Sequence, residues 1–150
     1  MKKVAFAPLT DADHDWLRDR CDAARGFVDR FSSADREQPI TLESLDRAFK
    51  AALAEFDESG SPEGTEVCDI VGAAFGQALR KGAGFEWVNA SDDYGSGLAV
   101  RALPDRGDVV VYPMDFVMTR WERSESDFLV DAFLEIREQV EVVKTKWSAN

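Results

Sequence analysis

FEWVNA (residues 85–90), GLAVRAL (97–103) and DVVVYP (108–113) decide the fold. On both sides of this stretch apolar residues recur every three or four positions, but within it the period drops to two and the residues become β-rich. The separators SDDYGS (91–96) and PDRG (104–107) supply the Asp, Gly and Ser that tight turns need. The pattern predicts a three-stranded antiparallel meander. Pro113 ends it, because proline has no N–H to give to a ladder.

Working outward, the segment from about Thr65 to Lys81 places Cys68, Val71, Phe75 and Leu79 at helical spacing and is expected to stop at Gly82, where a left-handed cap is easy. Gly72 and Gly76 lie four apart on one face of this helix, so a sheet or a neighbouring helix can approach its backbone closely. Farther upstream, Thr41 opens an amphipathic helix with Leu42, Leu45, Phe49, Leu53 and Phe56 inward. Thr10 and Asp13 form a capping-box-like start for another, carrying Trp16, Leu17, Cys21, Ala24, Val28 and Phe31. DESGSPEG (57–64) reads as an acidic loop and is where mobility is expected. Downstream, a helical turn at Met114–Trp121 precedes a last helix capped by Ser124 or Ser126, with Leu129, Phe133, Ile136, Val140, Val143 and Trp147 as its stripe. Trp147 should dock against the first helix or a partner. These stripes imply an α+β fold in which helices cover one face of the three-stranded meander, with a long C-terminal helix.

The 150 residues are expected to form a single domain, with a helical part over about 10–60. Hydrophobic residues make up 45% of the chain and include 10 Phe and 4 Trp, which suits a folded protein rather than a disordered tail. The net charge of −11 repels phosphate backbones and anionic headgroups, so neither nucleic acid nor membrane is an expected partner, while a basic protein is. No secretory h-region or spanning run is visible, and a cytoplasmic location is expected. Cys21 and Cys68 are too few and too far apart for a disulfide framework or a CxxC site, and read as reduced, mostly buried thiols.

His14, the single histidine, lies in an acidic first turn and reads as a solvated surface residue, so no metal site and no cofactor are expected. Asp92 and Asp93 could pair for acid–base work, yet Asp92-Asp93-Tyr94-Gly95 is also what a hairpin turn requires, and the turn is favoured. Trp87, Tyr94, Arg120 and Trp121 are residue types that carry binding energy at interfaces.

VGAAFGQALRKGAGFEWV, DDYGSGLAV and VVVYPMDFVMTRWERSESDF, taken in that order, resemble the family termed domain of unknown function 3806 over about residues 65–140. Gly72, Gly76, Trp87, Asp93, Gly95, Pro113 and Arg120 carry the likeness. Where the family tends to have Lys-Arg and an Arg-Gly-Glu-like turn, this chain has Thr119-Arg120 and then Glu122-Arg123-Ser124-Glu125. The resemblance implies a glycine-spaced helix, a Trp-bearing strand and a helix after the proline, and no established activity comes with it.

Two functions fit these readings. The first is a non-enzymatic interaction module, immunity-like or adaptor, with Trp87, Asp92, Asp93, Tyr94, Arg120 and Trp121 as its surface. The second is a small hydrolase or anion-ligand-binding domain in which Arg120 clamps an anion beside Asp92 and Asp93. A monomer is expected, with a homodimer through the last helix as the alternative.

Overall fold

The computed structural model describes residues 4–56 and 62–148. The three β-rich runs form β2 (Glu86–Asp92), β3 (Gly95–Ala102) and β4 (Val109–Val111), each antiparallel to the next. The sheet has four strands, not three. The extra one, β1 (Ala5–Ala7), pairs with β2 so that Phe6 lies opposite Ala90. Three residues, two of them alanine, are too short to display a period of two, so β1 exists because β2 offers it an edge.

The helices are α1 (Asp11–Phe31), α2 (Leu42–Glu55), α3 (Pro62–Ala83), α4 (Pro113–Glu122) and α5 (Leu129–Ser148). Strand alternation turns Trp87, Val100, Ala102, Val109 and Val111 toward the core cluster these helices share. Arg101, on the opposite sheet face, places its guanidinium 4.0 Å from the Phe6 ring centre. Fully buried Phe49, Phe75, Phe85 and Leu79 fill the interior. The Phe49 ring meets Trp121 at 5.6 Å and Phe128 at 5.3 Å, both edge-on, which favours one arrangement of α2, α4 and α5.

Local sequence explains the helix starts. The Asp13 N–H donates to Thr10 Oγ1 at 3.1 Å while the Thr10 N–H donates to Asp13 Oδ2 at 3.0 Å, and Thr41 and Ser44 repeat the exchange at 3.0 and 2.9 Å. At α3 the expected bounds need correction. The helix begins at Pro62, which suits a first turn, and runs through Gly82 to Ala83; the left-handed residue is Gly84, with φ +75°. Gly82 serves packing instead, since a Cβ there would come within 2.8 Å of the Phe133 ring. Of the segment expected to be mobile, 62–64 are the first turn of α3 and 57–61 lie outside the described residues.

The cap of α5 also differs from expectation. The N–H groups of Phe128 and Leu129 donate to Oδ1 of Asp46, on α2, at 3.2 and 3.0 Å. Trp147 lies beside the β3–β4 connection. A Cβ on Gly107, in the β3–β4 connection, would come within 2.6 Å of its Nε1, and the residue remains 52% exposed.

Candidate functional site

Asp92 ends β2, and Asp93 with Tyr94 forms the two-residue connection to β3. The Tyr94 N–H donates to Asp92 Oδ1 at 2.8 Å, so this carboxylate holds its own turn. Tyr94 is 79% exposed. Arg120, on α4, donates from Nη1 to Glu125 Oε2 at 2.8 Å, and its guanidinium lies 4.9 Å from the Phe116 ring centre. Trp121, on the same helix, is 2% exposed and covers Gly64 of α3. Trp87 is half-buried over Gly76, where any Cβ would collide with its ring. The structure thus leaves Asp92, Asp93 and Tyr94 at a hairpin tip and Arg120 and Trp121 in the packing of α4. Of the six, Trp87 alone lines any of four surface clefts.

The cleft beside Trp87, about 480 Å³, is shared by His14, Arg18, Cys21, Gln77, Arg80 and Glu86. Its charges are largely spent on neighbours, with Arg18 3.3 Å from Asp15 and Arg80 3.9 Å from Glu86. Burial, and then the nearby Asp22, pushes the Cys21 thiol up; burial pushes Cys68 up to about 12. Both sulfurs keep their protons at neutral pH and are poor nucleophiles.

A second cleft, about 460 Å³, runs between α1 and α3. Phe27, Phe31, Phe56, Val67 and Ile70 give it an apolar floor, Ala23 and Gly26 add small residues from α1, and exposed Asp22, Glu63 and Glu66 stand on its rim. Arg30 is its one basic lining residue. That guanidinium is held by Glu55 at 3.1 Å and lies 4.5 Å from the Phe31 ring centre, so it roofs the aromatics rather than cancelling the rim. In the sequence Phe31 and Phe56 look like inward stripe positions. What hides the groove is that only tertiary packing sets α1 beside α3; the visible signal is Gly26, a helix-weakening residue inside a strong helical pattern.

The same asymmetry of charge holds across the surface. Among the described residues nine basic side chains sit in ion pairs: Arg18, Arg20, Arg25, Arg30, Arg47, Lys50, Arg80, Arg101 and Arg120. With 29 acids against 18 bases, the surplus that stays open to solvent is negative. Among the described residues no group of three His, Cys, Asp or Glu side chains could hold a metal ion, and no helix is long and apolar enough to cross a membrane.

A family model described as a domain of unknown function, DUF3806, matches residues 42–133. The chain belongs to the DUF3806 family. The match runs from the first residue of α2 into the second turn of α5, so the DUF3806 portion comprises α2, α3, β2 to β4 and α4, reaching farther upstream than the sequence likeness over 65–140. A solved structure from Bacteroides thetaiotaomicron VPI-5482 is similar with a TM-score of 0.60 over 87% of this chain, at 11% identity, which speaks to fold alone. This DUF3806 chain spans 46% of the length of that one. No curated protein matches the chain.

Proposed function

We propose that this DUF3806 chain is a non-enzymatic protein-interaction module, immunity-like or adaptor in kind, that binds a basic partner protein as a monomer in the cytoplasm. The observation that carries the reading is the disposition of charge: nine of the cations are tied into local ion pairs while the acidic surplus faces outward, including the rim of the groove between α1 and α3. Such a field accelerates encounter with a basic surface and makes the association salt-dependent. Free Cys21 and Cys68 suit a reducing compartment. The hydrolase or anion-binding alternative gains less support, because Arg120 is engaged by Glu125 and Asp92 by its own turn. The test is retrieval from a lysate of the source organism at low salt, followed by washes of rising salt. A basic protein released progressively is expected; recovery of no protein at any salt refutes the reading.

A further inference from the structure

Gly26 stands apart from the other glycines of the helices. A Cβ on Gly64 would strike Trp121, one on Gly72 would strike Met114, one on Gly76 would strike Trp87, and one on Gly82 would strike Phe133. Each of these glycines is required by something pressed against it. A Cβ on Gly26 would meet nothing within 4 Å among the described residues, although Gly26 sits inside the 21 residues of α1, where glycine weakens a helix relative to alanine. The open space it faces is the groove floored by Phe27, Phe31 and Ile70 and rimmed by Asp22, Glu63 and Glu66. Its volume of about 460 Å³ is that of a ligand-sized cleft.

We infer that this groove is where the basic partner docks, and that the docking element is a basic amphipathic helix whose apolar face crosses α1 at Gly26. The inference rests on the interaction-module reading and assigns it a place. A helix seated there would press on Gly26 as Met114 presses on Gly72, which explains a glycine that no contact among the described residues needs. Its apolar side chains would cover the half-buried Phe31 and Phe56, and its flanking Lys or Arg would reach Asp22, Glu63 and Glu66. Charge selects the occupant: three acids stand on the rim, and the one cation, Arg30, is already held by Glu55, so an acidic or neutral helix would leave the rim uncompensated.

The experiment uses the full chain and three labelled peptides of about five helical turns: an amphipathic Leu–Lys peptide, its Leu–Glu counterpart and a Lys–Ser peptide of equal positive charge. Fluorescence anisotropy at low salt should show the Leu–Lys peptide binding at least about tenfold more tightly than either control. Gly26→Gln fills the groove from a position with free space, so it should raise the melting temperature and weaken Leu–Lys binding at least about tenfold. Glu63→Lys with Glu66→Lys should weaken it similarly, whereas Glu135→Lys with Glu138→Lys, the same charge change on α5, should alter it by less than about twofold. Undiminished binding by Gly26→Gln, or equal losses from the two charge-reversed pairs, overturns the groove assignment and leaves a diffuse basic-partner reading standing. If the wild-type chain binds neither lysine peptide, both readings fall. Self-association of the wild-type chain that Gly26→Gln abolishes overturns the assignment in favour of a second copy.

Discussion

Replacing Asp46 tests whether one carboxylate on α2 organises the start of α5. The residue is 7% exposed, and its Oδ1 accepts the N–H groups of Phe128 and Leu129 at 3.2 and 3.0 Å. Asp46→Ala removes that acceptor. Loss of a helix cap costs about 0.5–2 kcal/mol. Leu129 is 0% exposed, so its N–H would find no water, and a buried unsatisfied donor costs about 1–3 kcal/mol. The two figures describe the same lost bonds and overlap, giving about 2–3 kcal/mol for the alanine variant. Asp46→Asn keeps an acceptor oxygen and the volume, so it should cost much less than alanine. Burial is the largest influence on this carboxyl and holds its pKa above 3.8, outweighing the N–H bonds from Leu129, Phe128 and Val130. A raised folded-state pKa means the folded protein holds the proton more tightly than the unfolded chain. The contribution of Asp46 therefore declines as pH rises from below 3.8 through the folded value and is level above it, so the asparagine variant should gain on wild type across that window. Urea unfolding followed by tryptophan fluorescence and circular dichroism reads both effects as midpoint shifts at constant slope. An alanine variant within about 0.5 kcal/mol of wild type, or an asparagine variant as unstable as alanine, refutes the capping role.

Gly72→Ala should destabilise by about 1–3 kcal/mol, because the added Cβ would sit 2.7 Å from the Met114 Cα, and backbone cannot swing aside; chemical denaturation measures it, and a neutral result disproves the close approach of α3 and α4. Cys68, with its pKa near 12 and no exposed surface, should resist iodoacetamide at pH 8 in the folded protein, with Cys21 reacting first but slowly; mass mapping that finds Cys68 labelled ahead of Cys21 contradicts the packing. The Arg47 guanidinium and the Ser32 hydroxyl hold Asp35 down at about 2, so its stabilising effect is complete above 3.8 and lost as pH falls toward 2. Carboxyl-carbon NMR should follow that low titration and show it moving up in Arg47→Ala; an unchanged midpoint removes Arg47 as the cause. Trp147→Ala should lower the melting temperature by a few degrees at every protein concentration, since about half the side chain lies against the β3–β4 connection, roughly 1 kcal/mol of burial. A concentration-dependent dimer that the substitution abolishes would reverse that conclusion.

Legibility in the sequence tracked how local the deciding physics was. The β2–β3 hairpin was readable because two strands and the turn between them are contiguous, though the strands run closer to the turn than the separator SDDYGS suggested, and the Thr10 and Thr41 caps because both partners lie within one turn. The α5 cap was not, since Asp46 is 82 residues from Phe128 and looks from sequence like one more polar position on α2. The serines expected to cap sit in a connection whose backbone goes elsewhere, with φ +54° at Ser124 and +60° at Asp127. Trp87 and Arg120 were recognisable as residues capable of binding, but whether each meets solvent or a neighbour depends on α3 and α4, which no local pattern reports. Phe31 and Phe56 were assigned inward correctly as to face. Their role as groove walls follows from the α1–α3 pairing alone.

That pairing also limits how far the family membership reaches. Gly72 under Met114 and Gly76 under Trp87 lie wholly within residues 42–133, so the close packing of α3 on α4 and the sheet belongs to the part of the chain that the DUF3806 model describes. The groove is different: Asp22, Gly26, Phe27 and Phe31 come from α1, upstream of the match, while Phe56, Glu63, Glu66 and Ile70 come from within it. The family match thus covers one acidic, apolar wall, and the helix that completes the groove lies upstream of it. In the full chain, Gly26→Gln should therefore keep Glu63 and Glu66 and retain charge attraction to a Leu–Lys peptide without discriminating it from Lys–Ser. Discrimination, on this argument, resides in α1.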